Sequence, residues 1–543
     1  MRNAIRYLII LTLCLGFTTT AAVAQDGTIQ TMTPLEKAVM AVGGEEALQN
    51  LSAYTVEATG VRWVLDEGYV PGGEPVRSGT YTTTVTSDLT TGNLRVEQTK
   101  ETLGNARDLT EVINGDVGYK DGLDGRFGAP GQSPMSSDRV VSTRNQQQLL
   151  NPHGLLQAVW TDPSLATDAG EVLLEGAIYH RLEVANDPAP LTLYIHAGTG
   201  QLAKLTTTEE MPLRRDVSLE FYYYNWQPVA ESGLAFPAEI YIVQDGEVVA
   251  KEIRSAVTVN PTLDEALFAI PAEVETSYDE TLAARGAANE QYLQMFAHYG
   301  FVRDGLQTNV VATELAPGIY HLTGGSHNSM AVEQEDGVVI IETPLGGYRS
   351  DLIMDWAAAT FPDKPITAAV VTHHHEDHAA GLREFAAAGA TAVVHEAAAD
   401  FFAQIFDAPA TISPDLMAEV DGDVAMEIVP ADDSLELPDA THAIEIYPLA
   451  QTHAEDMVIV YVTDPGVLFV TDIYSPNPDA DSAGAGGQLI ADAIAELGLN
   501  VAWIVGGHGS AITFEDFQSQ LDRPLFESGR FTGETTAFKV SAQ

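Results

Sequence analysis

The sequence predicts an α/β protein in two parts: a mainly antiparallel β domain, then an αββα sandwich with two sheets face to face and helices outside. Three observations carry this. Between Tyr54 and Val257 short segments alternate apolar and polar side chains at period two. After Gly318 strand-like and helix-like segments alternate. In that second part, four ligand-type side chains, His373, His375, Asp377 and His378, crowd the end of one apolar run, Ile366 to Val371.

At the start, Arg2 and Arg6 precede an apolar stretch, Tyr7 to Phe17, and the small-residue end Ala22-Val23-Ala24. This pattern predicts a signal peptide cleaved before Gln25 and a periplasmic or secreted chain. The stretch is too short to span a bilayer comfortably, so no transmembrane segment is expected in the mature chain. Cys14 is the only cysteine. Leu13 is a poor residue ahead of a lipid-modified cysteine, and a mature chain without Cys14 has neither disulfides nor thiolate chemistry.

Short helices are expected from Pro34 to Gln49, around Gly43-Gly44. Strands follow at Tyr54 to Val64, Gly79 to Val85, Asn93 to Thr99, Asp108 to Ile113 and Val172 to Leu174. The series continues with Tyr179 to Val184, Leu191 to Ile195, Leu202 to Thr207, Val217 to Tyr223, Ala238 to Val243 and Val248 to Val257. Asn114-Gly115, Asp245-Gly246 and Gly198-Thr199-Gly200 are turns at hairpin distances. Val140 to Trp160 reads as helical with a break at Pro152. The expected organisation is a signal peptide at 1–24, a β-rich domain at 25–270, a helical connector at 271–304, the sandwich at 305–525 and a tail at 526–543.

In the second part, helices are expected at Arg349 to Thr360, Gly381 to Ala388, Ala397 to Phe406 and Leu489 to Leu497. Strands are expected at Val338 to Ile341, Ile366 to Val371, Thr391 to Val394, Ala443 to Pro448, Val458 to Val462, Val467 to Val470 and Val501 to Val505. Loops at one sheet edge would then converge in a groove. Asp407 to Asp423 and Ser475 to Gly487 are the loops expected to set substrate selectivity.

A tight turn after a strand at Thr372 can aim His373 and His375 at one cation while Asp377 and His378 reach a second. Neutral imidazoles with a carboxylate suit zinc. The spacing His-x-His-x-Asp-His resembles that of the metallo-β-lactamase-fold hydrolases, in which a lone His, an Asp ending a strand and a late His follow. Here those are His453, Asp472 and His508. The likeness spans about residues 305–520 and leaves the first half out.

The resemblance implies His373, His375 and His453 on one ion, Asp377, His378 and His508 on the other, and Asp472 bridging both. It implies a dinuclear zinc hydrolase that cleaves a small ester, thioester, lactone or related bond with a metal-bound hydroxide, Asp377 orienting the water. His374 and Glu376 alternate with these ligands and are expected to point away. A His at 375 argues against the di-iron relatives, and an Asp at 472 disfavours a zinc β-lactamase. An iron-dependent persulfide dioxygenase of the same fold stays open, since it can carry these seven residues. His327 and His395 stand near the groove as structural or substrate-contacting histidines, and Tyr474 as a donor to substrate.

The first half resembles periplasmic lipoprotein-carrier and lipoprotein-sorting domains in Gly43-Gly44, Phe221 to Trp226 and Leu234 to Pro237. That likeness implies an apolar or lipid-like ligand, and with it the alternative of a non-catalytic lipid-binding protein. Tyr222, Tyr223, Tyr224 and Trp226 either line such a groove or belong to the core.

The 26 Lys and Arg residues face 77 Asp and Glu, a net charge of −51. Such a field repels nucleic acid and anionic lipid, leaving a small molecule as the expected partner. The acidic excess is spread along the whole chain, as an adaptation to salty surroundings would have it. Raising ionic strength from about 0.01 M to about 1 M shortens the screening length from roughly 30 Å to 3 Å. The melting temperature is therefore expected to rise across that range, and a fall would count against the adaptation.

Overall fold

The computed structural model describes residues 32–102, 105–122, 131–135, 137–186, 189–276, 309–412, 414–420 and 422–521. The expected signal peptide and C-terminal tail, and most of the expected connector, lie outside these.

Two meanders make the first domain. One runs from Ala53 to Pro134 and the other from Ala166 to Val259. The first strand, Ala53–Val64, pairs antiparallel with the last, Glu247–Val259, which fuses them into one sheet of thirteen strands. Two of these, Val117–Gly122 and Gly131–Pro134, were not expected, because glycines and charges blur their alternation. Helices Pro34–Val42, Glu45–Gln49 and His153–Thr161 lay Val39, Leu48, Leu156 and Val159 against one face of the sheet. Thr33 caps the first of them through a reciprocal box with Glu36. The helical segment breaks at Pro152, as expected, into Ser137–Leu150 and His153–Thr161.

Strand alternation divides the aromatic run. Phe221 and Tyr223 enter the core, whereas Tyr222 and Tyr224 stack on each other, 6.3 Å between ring centres, on the opposite face. Trp226 packs against the core and donates to the Leu202 carbonyl.

The second domain is an αββα sandwich. A seven-stranded sheet runs from Val311–Ala316 to Met426–Val429, and a six-stranded one from Leu435–Leu437 to Ala511–Thr513. Val339, Ile341 and Val370 meet Val460, Phe469 and Val505 between them. The other side of the same strands faces helices. Val338 and Ile340 pack with Phe385 and Phe402, while Ile459 and Leu468 pack with Ile490 and Phe517. Burial on both faces explains why these strands read as continuous apolar runs.

The helix expected from Leu489 begins at Gly484. Gly486 is why: a Cβ there would lie 1.7 Å from the Ile473 carbonyl oxygen, so only glycine permits this approach. A glycine-rich stretch that reads as loop thus forms a first helical turn, and the Ser475 to Gly487 loop is shorter than expected.

The two domains are joined by side chains of the 212–214 turn and the start of the strand after it. Leu213 is buried among residues of the second domain. Arg215 stands 3.4 Å from Asp415, and the Asp216 carboxylate accepts from the Thr411 amide at 2.6 Å.

His153 is fully buried in the first domain, where its Nε2 meets the Ala235 carbonyl at 2.8 Å. Burial pushes its pKa down to about 4 against the Ala235 bond, which favours the proton. The unfolded chain takes that proton near pH 6.5, so this contribution is complete above 6.5 and is lost as pH falls toward 4. Acidification over that range is expected to cost the folded state roughly 3 kcal/mol through His153. Urea midpoints of His153→Gln and the unchanged protein should converge as pH drops; parallel curves would exclude this role.

Candidate metal centre

Every expected ligand lies at one edge of the sandwich, on the loops after its strands. His373 and His375 follow Ile366–Val370; His375 then begins the short helix Glu376–Ala379, which carries Asp377 and His378. His453 lies in the loop between Ile444–Pro448 and Val458–Val462, Asp472 two residues past Val467–Val470, and His508 two past Trp503–Gly506. The loops are tied together by backbone bonds. Val458 donates to the Thr372 carbonyl at 2.8 Å and Gly507 to that of Val470 at 2.8 Å. A Cβ on Gly507 would come within 2.4 Å of the Thr471 hydroxyl, so this closeness requires glycine.

Asp472 stands at the centre. Its backbone is left-handed, φ 47°, which Asp tolerates better than most residues. Oδ2 lies 2.9 Å from His453 Nε2 and 3.8 Å from His373 Nε2; Oδ1 lies 2.9 Å from His378 Nε2 and 3.1 Å from His508 Nε2. One oxygen therefore faces each set of imidazoles. In the first set the donor atoms of His373, His375, His453 and Asp472 lie within 4.8 Å of one another.

In the second set His327 joins the expected side chains. His378 and His508 group with His327, within the same 4.8 Å, and Asp377 approaches from the side. Its Oδ2 is 3.0 Å from His327 Nε2, and its Oδ1 is 3.7 Å from His378 Nε2. His327 thus belongs to the site itself. The sequence signal for it was weak: a histidine in the loop between Ile319–Thr323 and Ser329–Glu333, at the same sheet edge.

The outward ring nitrogens are held. His373 Nδ1 meets the Thr372 hydroxyl at 3.1 Å, His508 Nδ1 the Ser326 carbonyl at 2.9 Å, and His378 Nδ1 the Glu342 carboxylate. Glu342 is fully buried and also accepts from the Thr372 amide and hydroxyl, at 3.2 and 2.7 Å. As expected, His374 turns away, to Asp456 at 2.7 Å. His395 caps a turn instead, accepting from the Ala397 amide. Tyr474 does not face substrate: it is buried, and its hydroxyl donates to Gln520 at 3.0 Å.

The inward atoms have no such partners. Among the described residues, Nε2 of His373, His378 and His453 and Oδ1 of Asp377 are buried without a hydrogen bond. Burial pushes the pKa of His375 down to about 4 and that of His373 well below the ordinary value, which leaves both rings neutral. Burial works the same way on His378, but Asp377, Asp472 and Glu342 overcome it and raise its pKa well above normal. Burial also opposes ionisation of Asp472, yet His378 and the surrounding imidazoles hold its carboxyl far below the usual range. Several carboxylates around His378, with buried polar atoms aimed inward without partners, fit a bound cation, since buried charge without compensation is costly.

Residues 322–508 match the family model described as the metallo-beta-lactamase superfamily. Among solved structures, the DIM-1 metallo-beta-lactamase is similar over 40% of this chain and 96% of its own, at 15% identity and a TM-score of 0.31. A metallo-beta-lactamase from Pontibacter korlensis is similar over 39% of this chain and 97% of its own, at 18% identity and a TM-score of 0.31. One from Erythrobacter litoralis, holding beta-mercaptoethanol in its active site, covers 41% of this chain and 97% of its own, at 21% identity and a TM-score of 0.29. No curated protein matches the chain.

Glu342 orients a ring without facing the centre. Glu342→Ala is expected to weaken affinity for a divalent ion by about 10- to 100-fold. Competition against a chromophoric chelator measures this, and an unchanged affinity would remove Glu342 from the site.

Proposed function

Because residues 322–508 form a domain of the metallo-beta-lactamase superfamily and the chain is a metal-dependent hydrolase in kind, we propose a dinuclear zinc enzyme. It would hydrolyse a small ester, thioester, lactone or related bond outside the cytoplasm. The observation that carries this reading is the Asp472 carboxylate, with one oxygen toward His373 and His453 and the other toward His378 and His508. Imidazole and carboxylate donors suit zinc, and a shared carboxylate suits a pair of ions.

His373, His375 and His453 would hold one ion, His378 and His508 the other, with Asp472 between them and His327 and Asp377 beside the second. Divalent ions held there would supply Lewis acidity and would lower the pKa of a water at the site toward about 7. The side chains do the rest. Asp377 has Oδ2 fixed by His327 and Oδ1 free of hydrogen bonds, so Oδ1 is the atom available to accept a proton from that water. Burial opposes its ionisation, but His378 and His327 keep the carboxyl well below the usual range, so it stays ionised and keeps Oδ1 as an acceptor. His327 in turn keeps Asp377 from rotating, its Nδ1 held by the Ser326 hydroxyl at 2.8 Å.

Elemental analysis should find two zinc ions per chain, and panels of esters, thioesters, lactones and β-lactams should show turnover in the first three. Iron with oxygen consumption on a persulfide would replace this reading with the dioxygenase. Asp377→Asn is expected to lower kcat by about 10²- to 10⁴-fold while the melting curve is kept. Full activity in that variant would take Asp377 out of the proton transfer.

A further inference from the structure

The 65–75 loop of the first domain joins the strands Ala53–Val64 and Val76–Asp88. It crosses to the ligand edge of the second domain, where three successive residues meet it. The Glu67 carboxylate lies 4.0 Å from His375 Nδ1. The Gly68 carbonyl is 2.9 Å from His375 Nε2, across 307 positions of sequence. The Tyr69 carbonyl accepts at 2.6 Å from the amide of Glu455, two residues beyond His453. Two of the three histidines proposed for one ion are thus touched, directly or through their own loop, by the other domain.

Chemistry fixes what the Gly68 contact does. A carbonyl only accepts, so a neutral His375 must carry its proton on Nε2, which leaves the Nδ1 lone pair for a cation. The Glu67 carboxyl stands on that same side. The loop is itself held. Asp66, buried at 4% exposure, forms a two-pronged pair with Arg214, at 2.6 Å to Nε and 2.7 Å to Nη2. Leu65 is sunk in the first domain's core, and Gly72 lies on the ring of Phe401, where an added Cβ would stand 3.1 Å away.

We propose that the 65–75 loop is a working part of the metal centre: the N-terminal sheet supplies the acceptor that orients His375 and the brace that places His453, so the three-histidine half is complete only with both domains. Gly68 is a positioning residue, and the inference rests on the metal reading given above. It predicts that the two ions are held unequally when the loop is changed.

The test uses the full chain in which 67–73 is replaced by a short glycine-serine turn, with Asp66 and Arg214 kept. One ion of two should be lost at a chelator concentration about 10- to 100-fold lower than in the unchanged protein, the other being retained. The visible spectrum of the cobalt-substituted protein should change with it. Nitrogen-15 NMR of the unchanged protein gives a second measure that needs no variant, with His375 expected as the Nε2–H tautomer. Wild-type retention of both ions by the loop variant, or His375 found as Nδ1–H, would overturn the inference. Absence of any bound metal in the unchanged protein would instead overturn the metal reading on which it stands.

Discussion

A carboxylate buried between two sets of imidazoles is an unfavourable arrangement unless something positive shares the space, and Asp472 imposes this on the whole ligand edge. It follows an all-apolar strand, Val467–Val470, so its position is fixed by the packed core, and its left-handed backbone turns the side chain inward. Asp377 and Glu342 add further negative charge nearby. Divalent ions bound there would balance that charge. The fold of the strands and their loops brings these side chains together.

That preorganisation depends on rigid support. Strands buried on both faces cannot shift without disturbing two hydrophobic layers, one between the sheets and one beneath the helices. Asp472 and His508 follow those strands by two residues, and the loops are cross-tied by backbone bonds such as Asn328 to the Gly507 carbonyl, 2.7 Å. Glu342, Thr372 and Ser326 then set the ring orientations. The rings of His373, His378 and His508 are thus fixed at two points, the Cα and the outer nitrogen.

Local pattern made much of this legible in the sequence. His373, His375, Asp377 and His378 sit within six positions, and apolar runs ahead of Asp472 and His508 announced the strands that deliver them. What stayed hidden depends on distant contact. His327 joins the second set because two loops 50 positions apart meet, and no spacing rule expresses that. Gly484 to Gly487 reads as a loop because glycine disfavours helices, yet close approach to Ile473 requires it. The aromatic run left core and groove undecided until the register of its strand placed Tyr223 inside and Tyr222 outside. The fold class and the seven expected site residues follow from residue order; the place of His327 beside Asp377, and the loop from the first domain, do not.

The charge of the chain gives the domain junction its character. With 26 basic residues against 77 acidic ones, most carboxylates have no cationic neighbour to spare. Yet Arg214, Arg215 and Arg383 gather where the two domains meet. They pair with Asp66, Glu210 and Asp415 at 2.6 to 2.7 Å, largely out of water. Pairs of this kind are screened far less than surface charge, so they persist across the same salt range that quiets repulsion elsewhere. Guanidinium groups also fix geometry through paired N–H donors, which a lysine would not. A junction set by oriented arginines and by Leu213 in the neighbouring core can hold the 65–75 loop against His375 within hydrogen-bonding tolerance. Flexible tethering of the first domain could not meet that requirement, and so the large β-sheet acts as structural support for the metal edge.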